Sequence, residues 1–140
     1  VADQLLKDVK ELRAKVDTVD VTPKLMLQGS IDLLNEVSSS KITGEEEIYS
    51  HTDLYDFKAN IEGAEKIFEI FKDKVTEKDK KVAETTQERF DNVNKLLAKY
   101  ETKDGGYVDY TKLSKEDTKK LSEAVDKLGE SLSQMAVITE

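Results

Sequence analysis

Leu54-Tyr-Asp-Phe-Lys-Ala-Asn-Ile-Glu-Gly-Ala-Glu-Lys-Ile-Phe-Glu-Ile-Phe71 carries the cleanest pattern in the chain. Its apolar residues Leu54, Phe57, Ile61, Ala64, Phe68 and Phe71 fall three and four apart. That period is one face of an α-helix, and a seam of this kind packs against neighbouring helices in a bundle. Just ahead of it, Ser50 and Asp53 have the spacing of a capping box, with aspartate replacing the usual glutamate.

The same period recurs on both sides. Leu5, Val9, Leu12 and Val16 mark a first helix that runs to about Asp17. Thr22 and Pro23 open a second, with threonine as cap and proline at the first helical position, where its missing N–H is not needed. Met26, Leu27, Ile31, Leu34 and Val37 continue it, and Ser38 to Ser40 are expected to end it. Gly29 and Ser30 sit mid-helix, where small residues would let another helix approach. A fourth helix is expected over roughly Asp79 to Glu101, with Val82, Thr86, Phe90, Val93, Leu97 and Tyr100 inward. A turn at Lys103 to Tyr107 and an irregular stretch to Leu113 lead to Ser114, which caps a last helix. Leu121, Val125, Leu128, Leu132, Met135 and Ala136 line that helix at helical spacing. The expected fold class is all-α: residues 1–140 form one antiparallel four-helix bundle domain, with a short extra helix or turn in the connector.

Composition narrows function. The 140 residues suffice for a core without disulfides or a structural metal. Charged residues make up 37%, well above the usual quarter, and the net charge is −8. The lysines are interleaved with acids rather than gathered into a basic patch, so no nucleic-acid partner is expected. With no cysteine, thiolate metal sites and thiol catalysis are excluded. A single histidine and no nucleophile-elbow serine give a hydrolase no support, and no His-Glu-x-x-His pair is present. Gly105 and Gly106 lack the Gly-Lys-Ser/Thr ending of a phosphate loop, and a turn with packed tyrosines suits them better. The chain is not expected to be an enzyme. It opens at Val1 inside a helical pattern, as a processed product or a fragment would.

One constellation has chemical potential. Glu45, Glu46, Glu47, His51, Asp53 and Asp56 lie within twelve residues. Carboxylate and imidazole together suit borderline divalent ions such as iron, zinc, manganese or copper. The same residues also suit a plainer role: a solvated glutamate run, a histidine that caps or packs, and an acid favoured by the helix dipole. Asp53, Asp56 and Asn60 form a polar row beside the apolar seam, either lining a cleft or rimming the bundle.

The stretch Ile42-Thr-Gly-Glu-Glu-Glu-Ile-Tyr-Ser-His-Thr-Asp-Leu-Tyr-Asp-Phe-Lys-Ala-Asn-Ile-Glu-Gly-Ala64 closely resembles the EfeM/EfeO family of imelysin-like proteins. Thr22-Pro23, the helix from Phe90 to Tyr100 and Leu128-Gly-Glu-Ser-Leu-Ser133 extend the likeness over the whole chain. The resemblance implies an extracytoplasmic, lipid-anchored or periplasmic component of an EfeUOB-like iron-uptake system, acting with a membrane iron permease and a peroxidase. It implies a bound metal ion, iron first and zinc or copper next. Glu45 or Glu46, His51 and Asp53 would be its ligands, with Asp56 second. The family's His-x-x-Glu motif has no counterpart here, since Thr52, Asp53 and Leu54 follow His51. The chain therefore reads as the C-terminal half of the family's domain, with its N-terminal half as a missing partner and its membrane anchor elsewhere. Two other readings stay open: a non-catalytic module docking on a permease or another subunit, and polysaccharide binding with Tyr49, Tyr55 and Tyr107 stacking on sugars.

Overall fold

The computed structural model describes residues 1–43 and 47–139. Five α-helices account for most of them: α1 (Ala2–Val16), α2 (Pro23–Glu36), α3 (Asp53–Lys78), α4 (Lys80–Leu97) and α5 (Lys115–Thr139). Helices α2, α3, α4 and α5 form a closed ring in which α2 and α4 each pack against both α3 and α5. The core inside the ring is built on the residues expected from periodicity, although Met26, Ile31, Val82, Tyr100 and Ala136 are only partly buried and Ala83 joins it. All six residues of the α3 seam are buried, and Phe68 stacks on Phe90 of α4 with ring centroids 5.5 Å apart. Leu121, Val125, Leu128, Leu132 and Met135 of α5 and Leu27 and Leu34 of α2 close the remaining sides.

Local chemistry sets the helix ends. The Thr22 hydroxyl accepts from the Leu25 N–H at 3.2 Å, ahead of Pro23. Asp79 alone joins α3 to α4: it leaves helical geometry (φ −151°), and its carboxylate accepts from the Val82 N–H. A one-residue joint forces the two helices into an antiparallel pair. Ser114 and Asp117 form a reciprocal box at the start of α5, in which each side chain accepts from the other's backbone N–H at 3.1 Å. Polar pairs then lace the outer faces. Lys58 donates to Asn94, Lys72 to Gln87, and Lys78 to the Ile138 carbonyl near the end of α5.

Three expectations change. The serines after α2 do not end it. Val37–Lys41 winds on as a π-helical turn, and the Ile42 N–H closes on the Val37 carbonyl at 3.1 Å. The reason lies across the bundle, where Ser38 donates to Asp126 of α5 at 2.6 Å and meets the Ser122 hydroxyl. Gly29 is exposed and no other element approaches it, whereas Ser30 is buried with its hydroxyl turned back to the Met26 and Leu27 carbonyls. The first helix forms as expected, yet none of its residues is buried. The bundle is the ring α2–α5, and α1 stands outside it.

Candidate functional site

The connector between α2 and α3 ends in a tight turn at His51, whose backbone is left-handed (φ 56°). For a residue with a Cβ this conformation costs roughly 1–2 kcal/mol. Two backbone bonds hold it there: the His51 N–H donates to the Glu47 carbonyl at 2.8 Å, and its carbonyl accepts from the Tyr110 N–H at 3.0 Å. Tyr110 also donates its hydroxyl to the Ile42 carbonyl. One residue after α4 thus clamps both described ends of the connector.

The turn redirects the expected capping. Ser50 does not cap α3. Its hydroxyl donates to the Glu47 carboxylate at 2.6 Å and meets that of Thr52, while Thr52, the cap residue, makes no side-chain cap bond. Asp53 instead reaches backwards, with one carboxylate oxygen accepting from the Glu47 N–H at 3.2 Å. Asp53 is 1% exposed, and its second oxygen, Oδ2, is buried without a partner among the described residues. Such an oxygen strongly favours a donor or a cation beside it. The positive end of the α3 dipole supports the charge without occupying that oxygen.

Of the five residues read as ligands, Asp53 is buried, and His51 and Asp56 are half-buried. Glu45 and Glu46 lie outside the described residues. Among the described residues no three acids or histidines come close enough to hold a metal ion. The polar row continues two turns along α3, where the Asn60 side-chain nitrogen is likewise buried without a partner among the described residues.

The 107–113 segment contributes Asp109, which local patterns did not single out. Asp109 lies near His51. Its carboxyl is held below the usual range by the Thr111 hydroxyl first, then the Thr111 N–H, with the His51 and Lys112 charges adding to the effect. Only pairing across the chain places it there, so no short-range signal could have found it. Tyr55 and Tyr107 pack edge to face with centroids 5.5 Å apart, and a Cβ on Gly106 would overlap the Tyr55 hydroxyl. Burial, with Glu101 alongside, pushes Tyr107 up to about 12. These two rings contact each other, whereas Tyr49 is 92% exposed.

Comparison with known proteins places this geometry. The Imelysin family model matches residues 1–135. The chain belongs to the imelysin family. Within it, the chain is 70% identical over 140 residues to an EfeM/EfeO family lipoprotein of Staphylococcus haemolyticus (strain JCSC1435), covering 99% of this chain and 48% of the relative. It is 66% identical over 139 residues to EfeM/EfeO family lipoproteins of Staphylococcus aureus, strains MSSA476 and MW2, covering 99% of this chain and 49% of each relative. The imelysin chain thus spans about half the length of these curated relatives. Among its described residues, no helix is long and apolar enough to cross a membrane.

Proposed function

We propose that this imelysin-family chain is a non-catalytic, metal-handling module of an extracytoplasmic lipoprotein, with iron as its cargo. It would be the C-terminal half of the full domain and act beside a permease and a peroxidase subunit. The reading is supported by close similarity to EfeM/EfeO family lipoproteins. The observation that carries the chemistry is the Asp53 carboxylate, buried at the entry of α3 with one oxygen unpartnered among the described residues. His51 lies two residues before it, and Glu45 and Glu46 lie in the adjoining connector. A hard carboxylate beside an imidazole suits iron, and admits zinc or copper. With so few ligands among the described residues, binding would need Glu45 or Glu46, or groups from the rest of the protein.

Equilibrium dialysis with ferrous, ferric, zinc and copper ions, followed by elemental analysis, tests this. Stoichiometric iron is expected on the native protein, with at least about tenfold weaker binding in Asp53→Asn and in His51→Ala, since the loss of one ligand commonly costs over 1 kcal/mol. Equal binding by all three proteins would place the metal elsewhere. No binding by the full-length protein would sink the cargo reading.

The alternative reading as a docking module has its own support in the uncovered apolar face of α1. Polysaccharide binding is weaker, because Tyr55 and Tyr107 already pack on each other.

A further inference from the structure

Helix α1 is amphipathic and has no cover. Leu5, Val9, Leu12 and Val16 form its apolar stripe, and each is between 52% and 64% exposed. The stripe runs on through Val19 and Val21, which are equally open. A lone helix of this length is marginal in water, and most helix stability in proteins comes from packing an apolar face. The ring α2–α5 has already closed its own core, so the partner of α1 lies outside that ring.

We propose that α1 is a docking helix for the remainder of the full-length protein, the half of the relatives' length that this chain does not span. The family model matches from residue 1, so α1 is part of the family's domain and not an appended tail. The relatives carry about as much polypeptide again, enough to supply helices for the cover. Size separates this occupant from a second copy of the chain. At 1.5 Å per residue α1 is about 22 Å long, and a strip ~10 Å wide offers only a few hundred Å². Separate molecules need roughly 800 Å² per partner for a stable interface. A tethered partner faces a far smaller demand, because its effective concentration is on the order of millimolar. Charge argues against a lipid surface: Lys7, Lys10, Arg13 and Lys15 are nearly balanced by Asp3, Asp8 and Glu11, without the basic excess that draws helices to anionic membranes.

The inference rests on family membership and on the exposed stripe, and stands apart from any metal site. Hydrogen exchange followed by mass spectrometry tests it on two proteins: this 140-residue chain and the full-length S. haemolyticus relative. The α1 amides are expected to exchange on the order of a hundredfold more slowly in the full-length protein, with each protein monomeric by light scattering. Glutamate at the position matching Leu12 should restore fast exchange in α1 while the α3 and α4 amides stay protected. Equal exchange in both proteins would overturn the proposal. So would protection that rises with concentration in the 140-residue chain together with a doubled mass, which would make a second copy the occupant. Protection seen only after adding phosphatidylserine vesicles would make it a membrane and overturn it too.

Discussion

Asp117 shows how one side chain ties helix stability to pH. The Ser114 hydroxyl, then Tyr100, then the Ser114 N–H hold its carboxyl down at about 2. A carboxyl depressed on folding stabilises the protein above its ordinary pKa near 3.8, and that stabilisation is lost as pH falls towards 2. Ser114→Ala removes the first cause. The variant is expected to melt below the native chain at pH 7, with the gap narrowing between pH 4 and pH 2. Melting curves across that range check it, and a gap constant with pH would show that the hydroxyl serves only as a helix cap. Tyr100 moves in the opposite sense. Burial first, then the Asp117 carboxylate, push it up to about 12, so its contribution holds below pH 10 and fades as pH rises to 12. At this scale the sequence was readable where partners are near neighbours, as at the Ser114 cap, though the reciprocal bond from Asp117 was not read from it. It misled at Ser50, whose spacing to Asp53 matches a cap but whose hydroxyl is taken by Glu47 and Thr52 once His51 turns left-handed. Neither that turn nor the pairing of His51 with Tyr110 has a local signature.

Among the elements, α3 is the one whose sequence and structure agree most fully. Its seam is buried from Leu54 to Val75, and Gly63 is exposed in mid-helix with open space where a Cβ would sit. Gly63→Ala is expected to stabilise the fold by about 0.5–1 kcal/mol, read as a higher urea midpoint with unchanged slope. Phe68→Ala should do the reverse and cost about 3–5 kcal/mol, since the ring is fully buried against Phe90. Helix α2 was less legible at its end. Three serines read as a stop, because serine favours caps and turns over helix interiors. The hydroxyl of Ser38 finds Asp126 and Ser122 more than eighty residues away, and such partners leave no trace in local spacing.

At the scale of the molecule, periodicity gave the ring but not its membership. Helix α1 has the same apolar repeat as its neighbours, and the repeat alone does not say what covers it. The difference has a measurable consequence. Since none of α1 is buried, a chain lacking residues 1–20 should unfold within about 0.5 kcal/mol of the intact one by urea titration. A larger loss would mean that α1 braces the ring after all. The candidate site was legible only as a composition, a dense run of acids about a single histidine. Its decisive feature, an unpartnered oxygen on Asp53, depends on how the connector folds back over the head of α3.

The π-helical turn at Val37–Lys41 has a consequence for how this protein tolerates insertion and deletion. A π turn holds one more residue than the α turn it replaces. It therefore acts as a phase shifter, returning Ile42 to the buried side five residues after Val37, where a regular helix would have rotated it away. Deleting one serine would leave an ordinary α turn, in which Ile42 follows Val37 by four residues and lies about 40° from it, still on the buried side. The connector leading to His51 would then still enter from the same side. The extra serine is thus taken up by the width of the turn, and its loss would leave the direction in which the chain departs nearly unchanged.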